Sequence, residues 1–264
     1  MQSKLEAVAI SKSFSNNNAE IVPVLSDISL EIKESEFVSI VGASGCGKTT
    51  FLRILDGLIP PSSGDLLIDG REALGPDHRR GFVFQKDSLW PWRTAIGNVL
   101  FGLQIQRRPR REARAIALRL LELVGLKGFE QHYPHQLSGG MRQRVNLARA
   151  LAISPEVLLM DEPFASLDAQ TREVMQLELG RICSAQRSTV IFVTHQIDEA
   201  VYLSDRVVVF AARPGRVKQI IDINLPRPRP FAIKRTPEFV DYVEQIWSLL
   251  EEEVFGSSGA GRRH

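Results

Sequence analysis

Residues 4 to 42 alternate in the manner of β-strands, with Ile28, Leu30 and Ile32 on one face and Asp27, Glu31 and Lys33 toward solvent or turns. This spacing predicts an early antiparallel β layer. From Phe37 to Val41 the alternation gives way to a short apolar run that ends in glycines and leads into a helix-forming segment. Strand, loop and helix in that order open an α/β fold. Between about 95 and 152 the period lengthens, and Ala113, Ile116, Ala117, Leu120, Leu121 and Val124 share one helical face. A helical subdomain is therefore expected there. Apolar runs return at Val157 to Met160, Val190 to Val193 and Val207 to Phe210, as expected of buried parallel strands. The segment Leu225-Pro226-Arg227-Pro228-Arg229-Pro230 has no backbone donor at its prolines and is expected to run extended over the surface. A last helix is predicted over about 237 to 254, carrying Phe239, Val243, Ile246, Trp247 and Leu250, and after it a Gly/Ser tail of disordered composition.

Composition narrows this picture. A chain of 264 residues with 44% hydrophobic content can bury one substantial core, with room for a smaller inserted or appended subdomain. Lys and Arg number 33 against 31 for Asp and Glu, so there is no basic field of the kind that nominates nucleic acid as a partner. Two cysteines, Cys46 and Cys183, cannot form a disulfide framework and suit a reducing compartment. The N-terminus lacks the apolar core of a secretory signal, and the longest apolar runs fall far short of the roughly 18 to 20 residues that span a bilayer. The expectation is a cytoplasmic protein whose contact with a membrane comes through a partner.

The loop after the Phe37 run carries the first chemistry. Gly42-Ala43-Ser44-Gly45-Cys46-Gly47-Lys48-Thr49 fulfils the whole G-x-x-x-x-G-K-[ST] pattern, in the strand-to-helix context that the mechanism requires. Glycines let successive N–H groups turn inward to cradle phosphate, and the following helix adds its positive dipole end. Lys48 is expected to reach the β and γ phosphates of ATP. Thr49 offers its hydroxyl to Mg2+, which takes oxygen ligands and shares them with the nucleotide, and Thr50 is placed for the α-phosphate. Cys46 reads as a small spacer rather than a nucleophile.

Val157-Leu158-Leu159-Met160 ends in Asp161-Glu162, two carboxylates at the end of an apolar strand. This is a Walker B pattern. Asp161 is suited to hold Mg2+, directly or through water, and Glu162 to accept a proton from the water that attacks the γ-phosphate. His195 follows the apolar run Val190 to Val193 and Thr194, which places it at a neighbouring strand end, within reach of the γ-phosphate.

Leu137-Ser138-Gly139-Gly140-Met141-Arg142-Gln143-Arg144 precedes a helix and closely resembles the LSGGQ signature of ABC ATPases. Physically, Ser138 can hydrogen-bond a phosphate oxygen, and the glycines expose N–H groups at a helix N-terminus. The resemblance implies a P-loop NTPase (RecA-like) α/β core with an N-terminal antiparallel β subdomain and an inserted α-helical subdomain at about 88–152. It covers residues 4–222, leaving 223–264 as a C-terminal extension. It further implies a head-to-tail dimer in which Ser138, Gly139 and Gly140 of one copy complete the site that holds Lys48 of the other. By the same resemblance Gln85 is the glutamine that senses Mg2+ and the attacking water. Asp168, in Ser166-Leu167-Asp168, belongs to the loop that communicates across the dimer at the nucleotide. Phe14 resembles the aromatic that stacks on adenine, although it also reads as a core aromatic. The stretch between Lys48 and Ser138 is too short for the coiled-coil insertion of the DNA-repair relatives, which favours transport.

Ser88-Leu89-Trp90-Pro91-Trp92 is expected to expose aromatics at the groove where the family receives its permease. Together with Asp161 to Ala169 and the turn Ala212-Arg213-Pro214-Gly215-Arg216, it resembles the importers of nitrate, aliphatic sulfonates and taurine. Two residues depart from that pattern: Arg93 where an aliphatic residue is common, and Ala165 where glycine is frequent. The resemblance implies an ATP-hydrolysing subunit on the cytoplasmic face of the inner membrane, bound through permease subunits and serving a solute-binding protein indirectly. An importer of another small solute, or a non-transport ABC ATPase, is the alternative.

Overall fold

The computed structural model describes residues 3–255 apart from 17, 18, 74 and 87, so the Gly/Ser tail anticipated after the last helix lies outside the described residues. The chain divides into two compact units, one formed by residues 1–76 with 189–264 and the other by 77–188.

The first unit opens with β1 (Ser3–Ser15) and β2 (Ile21–Lys33), an antiparallel pair in which Ala7 faces Leu30 and Phe14 faces Val22. Ile28, Leu30 and Ile32 are buried while Asp27, Glu31 and Lys33 are exposed, as their alternation predicts. In β1 the alternation slips between Ala7 and Ile10, because a bulge there leaves Val8 exposed and returns Ile10 to the core. β3 (Phe37–Gly42) is buried at every residue and leads into α1 (Lys48–Leu55). β4 (Ser63–Ile68) and β5 (Arg71–Glu72) complete a four-stranded antiparallel sheet in the order β2-β1-β4-β5.

The second unit begins with β6 (Arg80–Val83), followed by α2 (Ala95–Ile105), α3 (Arg110–Leu123) and α4 (Gly139–Ala152). These three helices pack on one another and bury Val99, Leu103, Ala117, Leu121, Val145 and Leu147. α2 starts where the Thr94 hydroxyl accepts the Gly97 N–H, a side-chain N-cap. β7 (Val157–Asp161) lies parallel to β6, with Val83 opposite Met160, and α5 (Ala169–Gln186) closes the unit.

The chain then returns to the first unit through β8 (Thr189–Val193), α6 (Ile197–Leu203), β9 (Arg206–Ala211), β10 (Arg216–Asp222) and α7 (Pro237–Phe255). β3 runs between β8 and β9, parallel to both, and β10 pairs antiparallel with β9. With a strand on either side and every side chain buried, β3 is apolar except at Ser39, whose buried hydroxyl is hydrogen-bonded to that of Ser204. Phe51 of α1 meets Phe210 of β9 with ring centroids 5.6 Å apart, tying the helix after the glycine loop to the sheet.

Three expectations change. Trp247 is 55% exposed on α7 and donates its indole N–H to Glu251, whereas Phe239 and Ile246 are buried. Leu89 is buried and Trp90 half-buried, so of the aromatic turn only Trp92 stands out, 71% exposed. The reason is Asn98, fully buried, which accepts the Trp90 N–H and donates to the carbonyls of Trp90, Arg93 and Thr94. The Pro/Arg segment does not simply cross the surface: Leu225 and Arg229 are buried, because the arginine side chains supply the donors that the prolines lack. Among the described residues no helix is long and apolar enough to cross a membrane.

Candidate functional site

In the first unit the site is built on the C-terminal ends of two adjacent parallel strands, β3 and β8. β3 ends at Gly42, where a Cβ would stand 2.8 Å from Cys46 Sγ and 2.9 Å from the Phe210 carbonyl oxygen. No other residue fits that close approach. Gly47 is the N-cap of α1 at φ 94, in the left-handed region, and a Cβ there would lie 2.5 Å from Leu25. Gly47 brings no capping side chain, and the first turn of α1 carries no acidic residue, so the N–H groups at this helix start face no carboxylate of their own turn.

Lys48 is 7% exposed and curls back, its Nζ donating to the carbonyls of Gly42 (2.7 Å) and Ala43 (3.1 Å). An ammonium held by neutral carbonyls at a helix start is matched to a polyphosphate, which supplies the stronger, charged acceptor. Burial pushes the Cys46 thiol up, so it is a packed spacer without nucleophilic character. Ser44 and Gly45 lie exposed at the loop's crest, and Ala43, Thr49 and Thr50 are half-buried around it.

His195 is exposed directly beyond β8. Its backbone is held from both sides: the Thr194 N–H donates to Ile40 of β3, and the Thr194 hydroxyl donates to Glu199 at 2.7 Å while accepting the Gln196 N–H. Thr194 and Glu199 are both buried, a pairing that nothing in the pattern of apolar residues announced. Phe14 is 43% exposed near the end of β1, with Lys12 Nζ 5.1 Å from its ring centroid. It is therefore not a core aromatic.

In the second unit Asp161 ends β7 and is 3% exposed, and Glu162 follows at φ 46. A non-glycine residue in the left-handed region costs roughly 1–3 kcal/mol, and such strain is concentrated at functional positions. Gln85 Nε2 donates to Glu162 Oε2 at 3.1 Å, so these two predicted residues meet. Gln143 and Asn146, buried on α4, both donate to the Phe84 carbonyl and thereby set the chain immediately before Gln85. Sequence reasoning passed over both; buried polar residues three apart on an amphipathic helix were the available signal.

Ser138 is the N-cap of α4, its Oγ accepting the Met141 N–H at 3.2 Å, with Gly139 and Gly140 forming the first turn. The hydroxyl hydrogen stays available to an anion while the oxygen caps the helix. Of these two glycines Gly140 has the less room, since a Cβ would come 3.2 Å from Leu167. Asp168 caps α5 in the same way, accepting the Thr171 N–H at 2.9 Å.

The hydrogen bonds to Asp168 from the Thr171 side chain and backbone hold its carboxyl below the usual range. A carboxyl depressed in the folded state contributes stability above its unfolded value, near pH 4, and that contribution disappears as pH falls through the folded value. Asp168→Ala is thus expected to lower the melting temperature at pH 7, with the gap from wild type closing in acid. A gap of equal size at pH 7 and pH 3 in thermal unfolding would show that the charge is irrelevant.

Among the described residues there is no group of three or more His, Cys, Asp or Glu side chains able to hold a metal. Mg2+ makes no such demand, because it keeps waters and takes phosphate oxygens beside one or two protein oxygens. Thr49 in the first unit carries a hydroxyl, and Asp161 and Gln85 in the second carry a buried carboxylate and an amide, each a hard oxygen donor of the kind this ion prefers.

A family model described as "ABC transporter" matches residues 25–165. The nitrate import ATP-binding protein NrtD of Synechocystis is 44% identical over 252 residues, covering 93% of this chain and 94% of that protein. The taurine import ATP-binding protein TauB of Rhizobium johnstonii is 46% identical over 244 residues, covering 90% and 92% respectively. Among solved structures, a dimeric ATP-binding cassette in a post-hydrolysis state with ADP and Pi bound superposes with a TM-score of 0.77. It is 35% identical to this chain, and the match covers 84% of this chain and 100% of that one.

Proposed function

From the premise that this chain belongs to the ABC transporter ATP-binding family and is an ATPase, we propose that it drives an importer of a small oxyanion-bearing solute by hydrolysing ATP between two copies of itself. The observation that carries the catalytic part is the Gln85–Glu162 hydrogen bond beside the buried Asp161. It aims a carboxylate and an amide at one point, as the activation of a water requires.

In this reading Lys48 exchanges the Gly42 and Ala43 carbonyls for the β and γ phosphates, and the N–H groups from Gly42 to Thr50 cradle the chain of phosphates. Thr49 of the first unit and Asp161 and Gln85 of the second carry the oxygens that would hold Mg2+, whose charge would offset that of the phosphates. Glu162 takes a proton from water as the water oxygen bonds the γ-phosphorus, and the bond to the β-phosphate oxygen breaks with its electron pair leaving on ADP. His195 holds the γ-phosphate oxygens. Phe14 carries the adenine. Ser138, Gly139 and Gly140 come from the second copy, and Asp168 links the two copies at the nucleotide. The dimeric cassette with ADP and Pi among its structural relatives supports this arrangement.

We assign 4–222 as the ATPase domain, with its helical subdomain at about 88–152, and 223–264 as an extension. The subunit sits on the cytoplasmic face of the inner membrane through its permease, and a solute-binding protein outside selects the cargo. Relatives named for nitrate and for taurine import match at 44% and 46% identity, which supports a small solute bearing an oxyanion group, of the nitrate, sulfonate or taurine type. The test is phosphate release by the purified protein alone and with its permease, coupled to uptake of labelled nitrate, taurine and an alkanesulfonate by vesicles. ATP-dependent uptake of one of them is the expected result; negligible phosphate release in both preparations would leave a protein that only binds nucleotide.

A further inference from the structure

α6 begins two residues after His195, and its C-terminal end meets the Pro/Arg segment of the extension. The last carbonyls of a helix have no partner within it and need outside donors. Here four consecutive carbonyls are taken by two arginines. Arg229 Nη1 donates to Val201 (3.1 Å), Tyr202 (3.0 Å) and Ser204 (2.8 Å), and Arg227 Nη2 donates to Leu203 (2.6 Å). Arg229 Nη2 also gathers its own segment, through the carbonyls of Ile223 and Leu225.

Further contacts tie the clasp down, while Arg229 Nε stays buried with no hydrogen-bond partner. The Tyr202 hydroxyl donates to the Arg229 carbonyl at 2.9 Å, and its ring stacks on Phe231 at 5.2 Å with Lys234 above both rings. Arg227 Nε bonds Asp205 Oδ1, while Asp205 Oδ2 accepts the Phe37 N–H at the start of β3. Arg229 is 6% exposed, and burial lowers its guanidinium to about 10, which leaves it charged at neutral pH. Such a buried cation, donating to carbonyls at a helix C-terminus, is also stabilised by the negative end of the dipole.

At the opposite end of α6, Glu199 holds the Thr194 hydroxyl, and Thr194 is the residue before His195. We propose that Arg229, assisted by Arg227, is a positioning residue for His195: the extension anchors α6, and α6 sets the imidazole through the Glu199–Thr194 hydrogen bond. This inference rests on the reading of His195 as the group that holds the γ-phosphate. It gives the extension a role in turnover rather than in nucleotide affinity, because no part of the clasp belongs to the phosphate loop.

The test uses full-length Arg229→Met, Arg229→Lys, His195→Ala and the Arg229→Met/His195→Ala double variant. Arg229→Met is expected to reduce kcat about 10- to 100-fold, the range for a displaced catalytic contact, with ATP affinity unchanged. Arg229→Lys should recover part of the loss. The His195 ring C–H resonance should move in Arg229→Met, while those of His78, His132 and His135 stay in place. In the His195→Ala background the Arg229 substitution should add nothing further. An unmoved His195 resonance, or a full additional loss in the double variant, would overturn the positioning role. Unchanged turnover in His195→Ala alone would instead overturn the reading of His195 on which it rests.

Discussion

Glu162→Gln is expected to suppress steady-state phosphate release by about 10²- to 10⁴-fold, the usual worth of a positioned general base, while Mg-ATP stays bound and the chains stay paired. The substitution is nearly isosteric. Gln85 Nε2 donates to Glu162 Oε2, and an amide oxygen in that place accepts the same hydrogen bond, so the local shape at φ 46 is retained. What disappears is the capacity to take a proton from water. ATP that cannot be hydrolysed remains as the adhesive between a cradle built on Lys48 and a signature segment built on Ser138. Gel filtration with and without Mg-ATP should show a nucleotide-dependent dimer that persists in the variant and decays in the wild type. Unchanged phosphate release in Glu162→Gln would remove this residue from the mechanism.

Lys48→Ala is expected to fail one step earlier, at nucleotide binding. A charge-assisted hydrogen bond contributes roughly 1.5–3 kcal/mol, so losing the ammonium contact predicts about 10- to 100-fold weaker ATP binding by titration calorimetry. The dimer should then no longer form at ATP concentrations that saturate the wild type. Lys48 also bonds the carbonyls of Gly42 and Ala43, so its removal loosens the loop from within. Lys48→Arg is a poor substitute, since a planar guanidinium does not fit where a 7% exposed ammonium sits as a compact charge. An unaltered dissociation constant in Lys48→Ala would exclude the loop as the phosphate site.

The two variants separate binding from chemistry, and both proposed residues belong to features that are local in the chain. The loop from Gly42 to Thr49 is a local device: its glycines, its lysine and the helix start are adjacent in the chain, so spacing carries their geometry. Asp161 and Glu162 are equally local, ending the short apolar strand β7. Residues that act by holding others were less legible. Gln143 and Asn146 reach the Phe84 carbonyl from 59 and 62 positions away, and Thr194 with Glu199 form a buried pair that alternation cannot mark. Asn98 is the clearest case. One fully buried amide, bonded to a turn eight residues back, decides that Trp90 turns inward and Trp92 outward.

By itself the amino-acid order determined the glycine-rich loop between β3 and α1, the carboxylates that follow β7, the Ser-Gly-Gly start of α4 and the buried strands, because each depends on the period or spacing of neighbouring residues. Tertiary structure alone decided where the β1 register slips, which tryptophan is exposed, and that Arg229 of a proline-rich segment is buried against α6. The physical reason is the demand of backbone carbonyls at a helix end for donors. That demand is met by whatever distant segment the fold brings there, and no local pattern in either segment records the pairing.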